Sequence, residues 1–336
     1  ITADQDGDIL GGAVNFKMKE AREKFAFHLM AQGGYTGLSN ADNKYGNYKY
    51  VPSLESRLFD DKLGIFLQGN FEQRNLSSNE FGAEYRAFGD SDTDYITETV
   101  NMHSIPRESK RNNAALVLDY RLPAGKINIT NFYGYGKTTT KDRSEVLNND
   151  GPTTSDNQHV YSLFYSNSQR TMYQNSIGFD WQFPLIHTDL KLSHSYSETD
   201  NPNDWTVTFL QTRAGIGHLM AETNMHPSEV TEIISTDSSR AYLHQVSTNN
   251  NKAKERTYMA ALDFDFPLNF SKDITSIIKF GGKIRQQKRS YRAEEYGTNA
   301  SFSSPSARGA TIMIMDHFGL SGTRISLAPF VDQNYD

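Results

Sequence analysis

The sequence contains no cysteine and no long apolar run. Among its 336 residues there is no Cys, which excludes a disulfide framework, thiolate zinc sites and a cysteine nucleophile. No stretch approaches the roughly 18 consecutive apolar residues of a membrane-spanning helix, and the mean hydropathy is −0.64. These absences exclude a helical membrane protein. They leave open a transmembrane β-barrel, in which only alternate strand residues face lipid.

The chain also has no large excess of charge of either sign. The chain has 34 Lys and Arg against 40 Asp and Glu, a formal net charge of −6, so the basic excess of a nucleic-acid-binding protein is absent. Aromatic residues are plentiful, at 12% with 20 Phe and 18 Tyr. Such a composition differs from that of disordered chains, which are rich in net charge and poor in aromatics.

A two-residue alternation of apolar and polar side chains runs through most of the chain. Leu116, Leu118 and Tyr120 alternate with polar or small residues, then a turn at 123–125 leads into a second alternating run. This pattern predicts a β-hairpin. The same unit recurs around turns at 60–62, 184 and 267. The sequence therefore predicts four hairpins of one design, with strands of about ten residues, near the length of a tilted membrane strand.

Polar stretches separate the hairpins, at 75–111, 137–170, 199–255 and after 286. We predict long loops there, with one short helix starting at Pro227. Short turns at one end and long loops at the other are typical of outer-membrane barrels, and aromatic residues at strand ends fit the interfacial girdles. Nine strand candidates lie between Phe25 and Arg289, and at most two weaker ones follow, at 311–315 and 324–327. A soluble β-sandwich that buries the same alternate residues is the alternative, because period 2 alone does not distinguish lipid from core.

The first residues differ from the rest, with an acidic turn followed by Gly11-Gly12-Ala13-Val14-Asn15. This segment resembles the end of the plug domain of TonB-dependent outer-membrane receptors, in which a Gly-Gly strand closes the plug before a short linker and the first barrel strand. The runs 115–120 and 278–285 are similar to barrel strands of the same family. By this resemblance, Gly11, Gly12 and Asn15 form the plug–barrel junction.

The resemblance implies an all-β fold, an antiparallel transmembrane β-barrel of which about nine or ten strands are present, with short periplasmic turns and long extracellular loops. Residues 1–19 would end the plug domain, 20–24 form the linker and 25–336 form the N-terminal part of the barrel. Because such receptors have 22 strands, we expect an internal piece of a longer protein, located in the outer membrane of a Gram-negative bacterium.

The resemblance also implies active uptake of a scarce nutrient: a siderophore, haem, cobalamin, an oligosaccharide or a peptide. The partners would be TonB, through a segment outside this chain, outer-membrane lipid and lipopolysaccharide, and the nutrient itself, with no nucleic acid. No cofactor is expected. Two other functions stay open: a secreted or surface-exposed β-rich module that binds glycans without spanning a membrane, and an open porin, which the Gly11-Gly12 segment opposes.

Candidate contact residues come from the polar stretches. Exposed loop aromatics stack on sugars or chelates, and the loop positions are Tyr161, Tyr165, Trp205 and Tyr242. A basic cluster would meet anionic groups, and its members are Lys283, Arg285, Lys288 and Arg289. Aromatic packing within loops and a solvated strand end are the plain alternatives.

No motif supports catalysis or metal binding. Asp4, Asp6 and Asp8 alternate as in a calcium loop, but Ile9 and Asn15 stand where that loop needs Gly and Glu. The nine histidines lack the spacing of a zinc site, and there is no G-x-S-x-G elbow. We therefore expect no catalytic residue, no metal and no enzyme.

Overall fold

The structure is a computed structural model that describes residues 19–87, 93–148, 158–212, 224–233, 242–269 and 275–297. It contains eleven strands and one short helix. The elements are β1 (Ala26–Gly34), β2 (Asn47–Leu58), β3 (Leu63–Asn75), β4 (Ser78–Ala87), β5 (Tyr95–Ile105), β6 (Arg107–Leu122), β7 (Gly125–Asn148), β8 (Gln158–Gln182), β9 (His187–Thr212), α1 (Pro227–Ile233), β10 (Tyr242–Asn269) and β11 (Thr275–Gly297).

All strands belong to one antiparallel sheet. The main path runs β1-β2-β3-β6-β7-β8-β9-β10-β11, and the β4–β5 hairpin joins it through a pairing of β5 with β7. Strand β7 therefore pairs with β6 near the short turns and with β5 at its far end. Within the described ranges, β1 and β11 each pair with a single strand, so the sheet is open. The predicted all-β, antiparallel fold is confirmed, in the form of an open sheet.

The four predicted hairpins are all present. Their strands meet directly at the turns, with Leu58 opposite Leu63, Leu122 opposite Gly125 and Gln182 opposite His187; β10 and β11 form the fourth. The turn between β2 and β3 holds Phe59, Asp60 and Asp61 at positive φ. The predicted helix also begins at Pro227, where the Glu229 carboxylate accepts a hydrogen bond from the His226 backbone N–H at 3.0 Å.

The predicted loops and strand lengths are wrong over much of the chain. Strands β7 to β11 have 23 to 28 residues instead of about ten, and they occupy most of the described residues in the stretches assigned to loops at 137–170, 199–255 and after 286. A further hairpin, β4–β5, lies within 75–111. These segments are polar on both faces, so the strands continue without the hydropathy contrast that reveals a strand in sequence. Two weaker strand candidates, at 311–315 and 324–327, lie outside the described residues.

One face of the sheet is apolar and exposed, and the other is polar and partly buried. We call them the apolar face and the polar face. On the apolar face Ile177 and Phe280 are 49% and 54% exposed, whereas Glu55 and Asp119 on the polar face are each 1% exposed. A soluble protein normally has the opposite distribution. The alternation of apolar and polar residues therefore places apolar side chains on an exposed face and charged side chains on a face where several are buried.

Aromatic rings form two rows on the apolar face. Near the short turns lie Trp181 of β8 and the stacked pair Phe264 and Phe280, whose ring centroids are 5.1 Å apart. Farther along, Tyr173 stacks on Tyr196 at 4.9 Å. Eight residues separate Trp181 from Tyr173, about 27 Å along a strand and about 20 Å of height at a tilt of roughly 40°. That height is close to the roughly 25 Å apolar band of membrane barrels.

Strand β9 contains a β-bulge. Tyr165 pairs with Trp205 and Gln169 with Asp200, so β9 has one residue more than β8 over this stretch. Asn203 takes a positive φ of 59°, and its backbone N–H donates to the Asn250 side chain at 2.6 Å. Before the bulge, the residues of β9 on the apolar face have even numbers, such as Leu192 and Tyr196. The extra residue shifts this pattern by one, so that Trp205, with an odd number, also lies on the apolar face.

Within the described part of the chain, no helix combines the length and the apolar character that a membrane crossing requires.

Candidate functional site

A buried charged cluster occupies the polar face near the short turns. Glu55 and Arg57 lie two residues apart on β2 and therefore share a face. Asp119 of β6 reaches across the intervening β3, and its Oδ2 accepts a hydrogen bond from Arg57 Nη2 at 2.7 Å. The side chains of Arg57 and Asp119 are each 1% exposed. The cluster is thus a fully desolvated ion pair with a second acid beside it.

The residue opposite Asp119 on β3 is Gly64. A Cβ atom at this position would lie 2.2 Å from Asp119 Oδ1, closer than real contacts allow. The glycine therefore leaves the space through which Asp119 leans over β3 to reach Arg57. Close approach of a neighbouring group is one of the few situations that require Gly within a strand.

The segment that precedes β1 docks onto this cluster. Lys19 Nζ donates to Glu55 Oε1 at 3.0 Å, and it also lies 5.0 Å from the centre of the Phe66 ring. The Arg22 backbone N–H donates to Glu55 Oε2 at 3.4 Å. Arg57 Nε donates to the Ala21 carbonyl at 3.1 Å, and Ala21 itself is buried. Glu55 and Arg57 therefore bind the incoming segment, while Arg57 also pairs with Asp119 within the sheet.

A further ion pair joins the same segment to β7. Lys126 Nζ donates to Glu20 Oε1 at 2.6 Å, and this hydrogen bond holds the pKa of Glu20 below its ordinary value. The segment 19–22 thus contacts β2, β3 and β7, three strands of one wall. The predicted linker 20–24 begins within it. The predicted junction residues Gly11, Gly12 and Asn15 lie outside the described residues.

The four predicted contact aromatics lie in strands, so their assignment to loops was wrong. Tyr161 and Tyr165 belong to β8, Trp205 to β9, and Tyr242 is the first residue of β10. Tyr165 and Trp205 stack across the strand pair with ring centroids 5.7 Å apart. They lie on the apolar face, in line with Tyr173. Their contact with a nutrient stays a prediction.

Tyr161 has no exposed surface and belongs to a buried cluster that no sequence motif indicates. Its hydroxyl lies 3.0 Å from His159 Nδ1, and His159 Nε2 lies 2.5 Å from the Glu145 carboxylate. The Tyr161 ring packs with Phe209 and Leu243. Glu145, Phe209 and Leu243 lie on three other strands, and the register of β7 to β10 brings them to His159 and Tyr161. A buried Tyr161 is unavailable to a ligand in this arrangement.

The predicted basic cluster lies on β11, where the strand divides it between the two faces. Lys283, Arg285 and Arg289 share the polar face, and Arg289 pairs with Glu255 of β10 at 2.6 Å. Lys288 lies on the apolar face, opposite Arg256. The sequence identified the positive charges, but it did not indicate that a strand would separate them.

Among the residues that the structure describes, no three His, Cys, Asp or Glu side chains are arranged to hold a metal ion.

No protein-family model and no curated protein sequence matches the chain. Among solved structures, the chain is similar to the crystal structure of the siderophore receptor PiuA from Acinetobacter baumannii, at 11% sequence identity and a TM-score of 0.23. The match covers 84% of this chain and 48% of that one, so the chain spans about half the length of this receptor.

Proposed function

We propose that this chain is part of a TonB-dependent outer-membrane receptor, a transporter that takes up a scarce nutrient through a plugged β-barrel. The observation that carries the proposal is the inverted sheet. Its exposed face is apolar, and its buried face holds the Arg57–Asp119 ion pair. An antiparallel sheet with lipid outside and a filled lumen inside requires this distribution.

The apolar face supports the membrane part of the proposal. Ile177 and Leu192 lie between the two aromatic rows and are 49% and 44% exposed, and Phe280, in the row near the short turns, is 54% exposed. In water such a surface costs about 25 cal/mol per Å², whereas in a bilayer it is solvated by acyl chains. The rows themselves lie at the spacing at which Trp, Tyr and Phe meet the two interfaces.

The docked segment supports the plugged lumen. An eleven-stranded open sheet already exceeds the small barrels that side chains fill, and a wider barrel is either an open channel or contains a plug. Lys19, Glu20 and Arg22, which precede β1, are themselves held on the polar face, where an open pore would have only solvent. A plug is what allows uptake against a gradient, because an open pore only equilibrates its solute.

In this proposal residues 1–19 end the plug, 20–24 are the linker, and 25–336 form the first part of the barrel. TonB would act through a segment outside the chain, and the nutrient would be a siderophore, haem, cobalamin, an oligosaccharide or a peptide. The sheet is a scaffold that many substrates share, so its geometry does not select among them.

The test uses the full-length protein. We expect it to fractionate with outer membranes, to require detergent for solubility and to migrate faster on gels when it is not boiled. A soluble monomer without detergent would contradict the proposal and favour the glycan-binding module. A matched control comes from Leu192→Cys and Ser193→Cys, adjacent residues on opposite faces. A lipid-soluble maleimide should label the first and a membrane-impermeant one should not.

A further inference from the structure

We propose that a phosphorylated membrane lipid binds the apolar face across β10 and β11, with its phosphate on Arg256 and Lys288 and an acyl chain in the adjoining groove. The inference rests on the proposed function, which places this face against lipid and the far ends of the strands outside the cell. Under that orientation the ligand belongs to the outer leaflet.

Arg256 and Lys288 form a pair of like charges. They are directly opposite each other in the β10–β11 register, where Cβ atoms lie about 5 Å apart. No carboxylate among the described residues forms an ion pair with either side chain. Arg256 instead lies over the Tyr196 ring, 5.2 Å from its centre. Two cations opposite each other destabilise a strand pair unless an anion lies between them.

A second pair on the same strands shows how the protein neutralises such charges elsewhere. Lys252 lies opposite Arg292, four residues from the first pair and on the same face. Lys252 has two carboxylate partners, Glu198 and Asp200, each at 2.6 Å, and Arg292 pairs with Glu294. The protein therefore supplies anions to one cation pair and leaves the other for a ligand.

The position of Arg256 and Lys288 favours a lipid phosphate. Continuous cross-strand pairing places Tyr133, Tyr173, Tyr196, Arg256 and Lys288 in one row from β7 to β11. This row is the aromatic girdle farther from the short turns, and girdles lie at the level of the headgroups. The two cations therefore stand where lipid phosphates are concentrated, at the height that Tyr residues mark on the neighbouring strands.

An apolar groove continues from the cation pair toward the membrane centre. Its volume is about 420 Å³, and its lining includes Ile177, Leu192, Tyr258 and Ile284. Tyr258 follows Arg256 on the same face of β10, and its ring stacks on His194 at 4.7 Å. A groove of this character accepts a hydrocarbon chain. A free phosphate would use the cations but not the groove, so the two features together fit an anionic amphiphile.

The test uses the full-length protein in uncharged detergent, titrated separately with bis-phosphorylated lipid A, dephosphorylated lipid A and inorganic phosphate. Native mass spectrometry counts bound lipid, and the thermal midpoint reports its effect. The charge variant is R256Q/K288Q. Its control is K283Q/R285Q, which removes the same charge from the opposite face of β11. A third variant, A260F, fills the groove and leaves both cations in place.

We expect phosphorylated lipid A to bind and to raise the midpoint, and R256Q/K288Q to weaken its affinity about tenfold or more, since two charge-assisted contacts are lost. K283Q/R285Q should bind as the unmodified protein does, and A260F should lose lipid but not phosphate affinity. Equal losses in both charge variants would overturn the proposal. So would a midpoint shift from inorganic phosphate that matches that of lipid A. Neither outcome would alter the mobility of the unboiled protein, which tests the proposed function.

Discussion

Two charged regions of the sheet differ in how their charges are paired. On the polar face near the short turns, Arg57 has Asp119 as a partner and Glu55 has Lys19, so each buried charge of this cluster lies beside its opposite. On the apolar face, Arg256 stands opposite Lys288, in the same row as Tyr173 and Tyr196. Compensated charges hold chain segments in fixed positions, whereas like charges in register mark a place for an anion from outside the protein.

The largest loss of stability is expected at the buried ion pair of Arg57 and Asp119. Arg57→Ala leaves the Asp119 carboxylate buried without its partner, and a broken buried pair costs about 3–5 kcal/mol. Urea unfolding of the full-length protein in lipid vesicles measures the loss. The double variant Arg57→Met with Asp119→Leu removes both charges and should recover most of the stability. A single variant as stable as the double one would contradict a buried pair.

The next effect concerns the apolar face, on which the described Lys and Arg side chains lie at or beyond the girdle and not between the two aromatic rows. Leu192→Arg places a cation within the apolar band and should cost about 2–4 kcal/mol, the midplane value for membrane barrels. Ser193→Arg, the next residue along β9, lies on the polar face and serves as the control. Equal costs in the same unfolding measurement would show that the two faces do not meet different solvents.

A smaller effect concerns the space that lets the inner charges meet. Gly64→Ala places a methyl group against Asp119 Oδ1, so the Arg57–Asp119 contact must shift or lengthen, at about 1–3 kcal/mol. Gly282→Ala is the matched control, because nothing lies within 4 Å of a Cβ there. If both alanine variants lose the same free energy of unfolding, the close approach of Asp119 to Gly64 does not contribute to stability.

The smallest effect is a pH dependence at the compensated pair of the apolar face, beyond the girdle. Hydrogen bonds to Asp200 and Glu198 raise the pKa of Lys252, and the bond from Lys252 lowers the pKa of Glu198. Lys252 thus stabilises the fold below its ordinary pKa of 10.5 and loses this contribution as pH rises through the higher folded value. Glu198 contributes above 4.5 and loses its part as pH falls through its lowered value.

The interaction is partly exposed, so we expect less than about 1 kcal/mol. Lys252→Met should flatten the stability–pH curve of the full-length protein at both ends, below about pH 4.5 and above about pH 10.5. Lys191→Met, which removes a lysine from the polar face, should leave the shape of the curve unchanged there. An unaltered curve in Lys252→Met would contradict the assigned pKa directions.

The sequence predicted those parts of the fold in which apolar and polar side chains alternate between the two faces. The hairpin around 123–125 was predicted because Leu118 and Tyr120 contrast with Asp119. Beyond the girdle this contrast disappears, and β7 continues through Thr138, Thr139 and Thr140 with no hydropathy signal, although each residue still pairs with a neighbouring strand. Strand length there depends on long-range hydrogen bonding, which a local pattern does not encode.

The site was predictable only in its composition. Lys288 and Arg289 are adjacent in sequence and appeared as one cluster, but the pleat sends them to opposite faces. No sequence pattern predicted Arg256 and Asp119 as site residues, because their partners lie on other strands, 32 and 62 residues away. Such partnerships depend on register, and register depends on the whole set of pairings rather than on any one segment.

The bulge in β9 acts as a frame correction. Every residue added to a strand exchanges the faces of all that follow, and the single extra residue near Asn203 brings Trp205 back to the side of Tyr196. A second single-residue insertion, between Asn203 and Trp205, would move Trp205 and Phe209 to the polar face, away from Tyr165 and Tyr161, their partners on β8. Length changes in this wall should therefore be tolerated in twos, or at a bulge, and rejected singly elsewhere.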